Sequence, residues 1–412
     1  MHRVCVVGGG IAGAEAARES ALLGAKVALF ESSNSLPDVR RGWQNILETG
    51  RGAYAGLDAL VDLGVEVNLG EPVIAVDPGL RVLTPSGKRH FDSVVVATGL
   101  SSVPMEVPGW RKPGVHVLES QESYAALREA IPGMQRIAVF GSLPGSLIVA
   151  DRLADSGLSV SLFAEADAIG RILGRAVTDR ILSAAIGRGV RMFSMTPDRI
   201  IGIAKAEAIV AHGEVVPCDG VVVIPRTAVR LPALAAVLGE HGGLIVDRSM
   251  RSTCRGILAA GDCVEFMLGG SSIQIMRRST AAAAGRIAGV NATGGSLDFN
   301  PVGSLELNLF GVEVACAGLS LSDSETARLD TREVSLTRSG SSCWIVFERL
   351  GGKVLGVGLA GPNASVAVGS LILTVSKGVG VRELVYQETS GSTDISLVAD
   401  TARQGLKACQ RS

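Results

Sequence analysis

Residues 3–31, RVCVVGGGIAGAEAARESALLGAKVALFE, set Gly8, Gly10 and Gly13 between an apolar run and a helical one, and close the next apolar run on Glu31. Few patterns restrict a local fold as tightly. Gly8 permits a sharp turn, Gly10 lets the backbone approach a pyrophosphate, and Gly13 lets the helix pack closely on the strand. The helix N-terminus then offers free N–H groups and a favourable dipole to phosphates. Glu31 stands where a carboxylate can accept ribose hydroxyls. Turn, helix and terminal acid together read as a dinucleotide-binding βαβ unit, with Glu15 inside the helix as supporting structure.

The rhythm restarts at RIAVFG, continues through SLIVADRLADSG and reaches SVSLFAE, which implies a second, related unit. The 52 glycines have no collagen-like period and fit a chain rich in tight strand-to-helix turns. After GRIAGVNATGGSLDFNP the pattern changes to antiparallel-looking strands, SCWIVFERLGGKVLGVGLAG, followed by helical ASVAVGSLILTVSKG. A third, α+β unit is expected from about residue 298.

Two further segments narrow the reading. In FDSVVVATGLSSVP a strand ends at Ala97, Thr98 and Gly99, and in GGLIVDRSMRSTCRGILAAGDCVE another ends at Gly261 and Asp262. With the first glycine turn, they resemble the two-dinucleotide-binding flavoproteins of the pyridine nucleotide-disulfide oxidoreductase superfamily. The resemblance implies FAD at the first turn, with Asp262 near the ribityl or phosphate region, and NADH or NADPH at the second. It also implies that STAAAAGRIAGVNATGG packs beneath the isoalloxazine. The segment VRELVYQETSGSTDISLVAD resembles the dimerisation domain of the NADH oxidase and coenzyme A disulfide reductase branch, where Tyr386, Ser392 and Asp394 match loosely, and this implies a homodimer. The expected fold is therefore α/β, with two Rossmann-like domains and a C-terminal α+β dimerisation domain. Residues 1–112 and 241–297 form the FAD-binding domain, 113–240 the NAD(P)-binding-like domain, and 298–412 the dimerisation domain.

The chain departs from that pattern in three places. The disulfide branch carries a reactive cysteine soon after the first acidic strand, where this chain reads ESSNSLPDVRRGWQNILETG, and no cysteine lies between Cys5 and Cys218. Thiol chemistry from that position is excluded; Arg40 and Arg41 are candidates for a phosphate or an acidic acceptor, and Trp43 reads as a packed tryptophan. The second turn keeps Gly141 but has Leu143 and Ser146 at the next two glycine positions, with Gly145 out of register. Leu143 is expected to fill the space where backbone and pyrophosphate meet. Ala164 or Glu165 is the ribose candidate, Glu165 the better of the two. Ile224, Pro225 and Arg226 replace small residues near the nicotinamide.

Several other classes are excluded. Lys and Arg total 39 against 40 Asp and Glu, a net charge of −1, so nothing advertises nucleic acid. The seven cysteines form no CxxC pair and the five histidines no HxH or HExxH, so no metal centre is expected. No leader and no apolar run of about 18 residues is visible, which reads as a cytoplasmic chain without a membrane span. His241 reads as a strand start, and the arginines of RILGRAVTDRILSAAIGRGVRMF as the solvated face of one amphipathic helix. The expected function is an FAD-dependent oxidoreductase that passes electrons from NADH or NADPH to a small-molecule or redox-protein acceptor, without a redox-active disulfide. The alternative is an FAD-binding subunit or sensor within an assembly. No catalytic side chain is assigned.

Overall fold

Apolar runs buried on both faces make parallel strands, and two such sheets organise the first part of the chain. The computed structural model describes residues 1–36, 56–103, 107–387 and 393–409. Its first sheet runs Ile257–Ala259, Ser93–Val96, Arg3–Val7, Lys26–Glu31, Glu66–Leu69, all parallel. The second runs Arg191–Phe193, Ser159–Phe163, Arg136–Gly141, Gly220–Ile224, Val115–Val117, also parallel. The chain therefore leaves the first sheet after Val96, builds the second, and returns to complete the first at Ile257. A third sheet, Ser304–Leu309, Val312–Gly318, Val354–Ala360, Ser341–Glu348, Thr331–Arg338, is antiparallel. Helices Ala364–Ser376 and Thr393–Cys409 cover it, with Leu371, Leu397 and Ala402 buried against Ile345, Phe347 and Leu359. The α/β architecture with Rossmann-like parallel sheets is as the sequence implied.

The helix that opens the first turn, Ile11–Leu22, lies against Arg278–Ala292 with almost no room between them. A Cβ on Gly285 would stand 2.3 Å from the Ala12 carbonyl oxygen, and one on Gly289 2.5 Å from that of Ala16. Ser20 Oγ donates to the Gly289 carbonyl at 3.1 Å. Glu15, buried as its supporting role requires, meets Arg286 Nη1 at 3.2 Å. Small residues at these four positions set the distance at which the two helices hold the turn.

The arginine-bearing segment expected as one solvated helix is two helices, Ala166–Leu173 and Arg175–Gly187, broken at Gly174. The cause lies in the third sheet. Fully buried Trp344 donates its indole N–H to the Leu173 carbonyl at 2.6 Å. Gly174 adopts φ +77° with no room for a Cβ, which would lie 2.5 Å from Trp344 Cδ1. Asp151 makes a second tie between these units, accepting the Phe310 N–H at 2.8 Å with Arg188 at 3.4 Å. Burial pushes its carboxyl above the ordinary range.

His241 lies in the turn before the strand Leu244–Val246, consistent with a strand start. The carboxylate of fully buried Glu265 holds that turn by accepting from the N–H groups of Gly243 at 2.7 Å and His241 at 3.1 Å, and from Ser272 Oγ at 2.6 Å.

Candidate functional site

At the first turn Gly8 has φ +104°, and a Cβ there would meet the Ala97 carbonyl oxygen at 2.4 Å. A Cβ on Gly13 would stand 1.9 Å from the Gly8 carbonyl oxygen. Both glycines are thus required by the fold itself. Gly10 differs: its backbone is extended at φ −68°, ψ −174°, and nothing lies within 4 Å of the Cβ position. The helix it caps has no side-chain cap and no acidic residue in its first turn, so its leading N–H groups stay open to an anion.

Glu31 closes one side of this cradle. Oε2 accepts the Gly9 N–H at 2.7 Å, and Oε1 accepts from Ser33 N–H at 2.8 Å and Ser32 Oγ at 3.1 Å. A carboxylate has about four acceptor sites, which leaves Oε2 one for a ligand hydroxyl.

Ala97, Thr98 and Gly99 follow the strand Ser93–Val96 and abut the turn, with Ala97 N–H donating to the Val7 carbonyl at 2.8 Å. Gly261 and Asp262 follow the neighbouring strand, and a Cβ on Gly261 would touch Ala12 Cβ at 2.8 Å. Thr98 Oγ1 and Asp262 Oδ1 are both buried with no hydrogen-bond partner. Burial also pushes the Asp262 carboxyl up to about 6, against the opposing charge of Arg277. Buried polar atoms without partners are rare in a finished fold, and these two fit a polar ligand over the turn. Cys263, beside Asp262, donates to the carbonyls of Ala260 at 3.4 Å and Val96 at 3.5 Å. Burial raises its thiol pKa, which makes it a poor nucleophile.

The second turn is built differently. Gly141, at φ +119°, leaves no room for a Cβ beside the Ile224 carbonyl, at 2.0 Å. Ser142 ties the turn to the next strand, N–H to the Ile224 carbonyl at 2.9 Å and Oγ to that of Pro225 at 2.9 Å. The helix Gly145–Asp155 is capped by Pro144, which has no N–H, and the Ser146 N–H is already given to the Ser142 carbonyl at 3.0 Å. Two donors that a phosphate would use at such a turn are absent or engaged. Leu143 is half-buried against the second core and also faces the cleft between the two turns.

That cleft has a volume of roughly 640 Å³, and Leu143, Arg171, Pro225, Arg226, Asp262 and Arg277 are among its walls. The guanidiniums of Arg171 and Arg226 have no ion pair or hydrogen bond among the described residues and line the cleft as free cations. Glu165 is exposed at the start of the helix Ala166–Leu173 and does not line the cleft, while Ala164 is buried. Gln274, which donates its side-chain N–H to the Asp262 carbonyl at 2.5 Å, and Arg277 also line the cleft; the sequence signals only Arg277, through the basic MRRS segment opening the next helix. Arg40, Arg41, Trp43 and Ser392 lie outside the described residues, as does the side chain of Asp394; Tyr386 is exposed. Among the described residues no helix is long and apolar enough to cross a membrane.

The family described as pyridine nucleotide-disulphide oxidoreductase matches residues 2–285. Mercuric reductase from Acidithiobacillus ferrooxidans is 28% identical over 328 residues, 74% of this chain and 56% of that protein. The chain thus spans little more than half the length of that relative. Rhodocoxin reductase from Rhodococcus erythropolis is 27% identical over 308 residues, 72% of this chain and 70% of its own. The water-forming NADH oxidase from Lactobacillus brevis, solved with NADH bound, superposes with a TM-score of 0.86 over 100% of this chain and 99% of that one, at 19% identity, a likeness of fold.

Proposed function

The chain belongs to the pyridine nucleotide-disulphide oxidoreductase family, and from that premise we propose that it is an FAD-dependent enzyme. It takes electrons from NADH or NADPH and passes them to a small-molecule or protein acceptor without a redox-active disulfide. The observation that carries this reading is the pair of unpartnered buried groups, Thr98 Oγ1 and Asp262 Oδ1, beside an open Gly10.

FAD, when bound, supplies hydride acceptance and onward electron transfer. The chain's own residues bind and orient it. The N-terminus of the helix Ile11–Leu22 meets the pyrophosphate, Glu31 Oε2 the adenosine ribose, and Thr98 and Asp262 the flavin half. With a carboxyl near 6, Asp262 donates a proton to a ligand oxygen in its neutral form and accepts one when ionised. In the adjoining cleft Arg171 and Arg226 meet the phosphates of the reducing nucleotide in place of the missing N–H donors. Glu165, exposed at the start of its helix, is kept as the ribose candidate of that nucleotide. The proposed domain division, 1–112 with 241–297, then 113–240, then 298–412, is supported by the return of the chain to the first sheet at Ile257. A homodimer is part of the proposal, supported by Val366 and Leu373, 78% and 60% exposed on the helix Ala364–Ser376. So is a cytoplasmic location.

The second reading, an FAD-binding subunit or sensor, is favoured by the Pro144 cap and the engaged Ser146 N–H. Reconstitution decides the core of the proposal. Purified protein incubated with FAD and desalted should keep stoichiometric flavin, and protein that stays colourless refutes it.

A further inference from the structure

A second concavity, of roughly 750 Å³, lies between the helix Arg175–Gly187 and the antiparallel sheet, and shares no residue with the cofactor cleft. Regular structure builds both walls. Arg175, Asp179 and Ser183 follow at four-residue steps with Arg180 beside them, so they occupy one helix face. Opposite, Glu333, Ser335 and Thr337 alternate along the edge strand Thr331–Arg338 and share one sheet face. Ser342, on the next strand, meets Thr337 hydroxyl to hydroxyl at 3.1 Å.

The groove holds charges that the fold does not use. Arg180 Nε is buried with no partner, and no acceptor among the described residues engages its guanidinium. Only four buried side-chain polar atoms among the described residues lack a partner, and two of the others are Thr98 Oγ1 and Asp262 Oδ1 at the proposed flavin site. An unmet buried donor is the same kind of signal in both places. Burial pushes the Glu333 carboxyl toward its neutral, proton-donating form, although Arg175 opposes this. Two guanidiniums with several hydroxyls exceed what the two oxygens of a carboxylate can accept. The three terminal oxygens of a phosphate monoester match them, and Arg forks fit that geometry.

We propose that this groove is a binding site for a phosphate-bearing small molecule, with Arg175 and Arg180 on the phosphate and Ser335 and Thr337 completing its hydrogen bonds. Its volume lies in the range of small-molecule sites rather than that of a bare ion. The groove also lies beside the joint between the two helices. Arg175 follows Gly174, and Trp344, two residues from Ser342 on the same strand, holds the Leu173 carbonyl of the helix whose Arg171 lines that cleft. A ligand in the groove therefore sits beside the joint between the two helices.

The test is calorimetric titration of inorganic phosphate into full-length, FAD-saturated protein at constant ionic strength, with FAD loaded so that the first turn is filled. Saturable phosphate binding is expected, with one site per chain that persists in the double variant Arg171→Met and Arg226→Met, is weakened at least tenfold in Arg180→Met and is unchanged in Arg191→Met, an exposed arginine outside the groove. Arg180→Lys, which keeps the charge and loses the fork, should fall between them. Should Arg180→Met fail to fold, the isosteric Thr337→Val takes its place, with a severalfold loss expected. Absence of phosphate binding to the wild type, or equal affinity in Arg180→Met (or, if that variant does not fold, in Thr337→Val), overturns the proposal.

Discussion

Replacing Gly10 with alanine should separate folding from cofactor binding, because the three glycines of the first turn serve different ends. In Gly10→Ala the new methyl enters space with no protein atom within 4 Å, on a backbone that any residue adopts. Removing a glycine narrows the unfolded ensemble and contributes about 0.4–1 kcal/mol. Losing the preference for glycine over alanine at a helix cap costs roughly 0.7 kcal/mol and offsets most of that. The apoprotein should therefore change by less than about 1 kcal/mol. With FAD present, the methyl stands where the pyrophosphate approaches the backbone, and overpacking of this kind costs about 1–3 kcal/mol. At about 1.4 kcal/mol per tenfold, FAD should bind roughly five- to 150-fold more weakly. Gly13→Ala is the contrast, since its Cβ would stand 1.9 Å from the Gly8 carbonyl oxygen and the fold itself must give. Flavin titration of the apoprotein, paired with its thermal unfolding, measures both quantities. If Gly10→Ala binds FAD as tightly as the wild type, or if its apoprotein loses several kcal/mol, the reasoning from open space is wrong.

Substitutions at four more positions answer to the same geometry. The Asp262 carboxyl, near 6 when folded and near 3.8 when unfolded, binds its proton more tightly in the native state, so apoprotein stability falls as pH rises between those values. Asp262→Asn should therefore gain up to about 3 kcal/mol over the wild-type apoprotein in urea unfolding at pH above about 7 and little at pH near 4; an equal gain at both sinks the assignment. Trp344→Phe leaves the Leu173 carbonyl without its donor and should cost about 1–3 kcal/mol, read as a lowered melting temperature, and an unchanged one argues against the tie. Leu143→Gly alone should not tighten NADH binding, because Pro144 still lacks an N–H, whereas Leu143→Gly with Pro144→Ala should; equilibrium titration of each distinguishes the two, and tightening by the single variant would place the block at Leu143 after all.

The first turn was readable in the amino-acid sequence because its requirements are local. Gly8 is demanded by its positive φ and Gly13 by the Gly8 carbonyl, both within one strand-turn-helix, and such demands appear as glycines at fixed spacing. Gly261 and Asp262 were readable through resemblance, but the unmet state of Asp262 Oδ1 was not, since burial depends on packing from separate segments. At the second turn Leu143 stood out for its bulk. The donor missing at Pro144 is written in the sequence, as a proline has no N–H, whereas the engaged Ser146 N–H emerged only from the hydrogen bonds. The arginines of the Arg175–Gly187 helix read as solvated because the strand that faces them comes about 150 residues later, and the break at Gly174 answers to Trp344 on yet another strand. Contacts of that sequence separation leave no local periodicity to read.

The most direct measurement of the central claim is an anaerobic titration of the FAD-loaded protein with NADH and, separately, NADPH, followed through the flavin absorbance band. Stoichiometric bleaching by at least one nucleotide is expected, with reoxidation when an acceptor is admitted. A flavin that dithionite reduces but neither nucleotide does would contradict it, and would leave the binding subunit or sensor as the surviving reading.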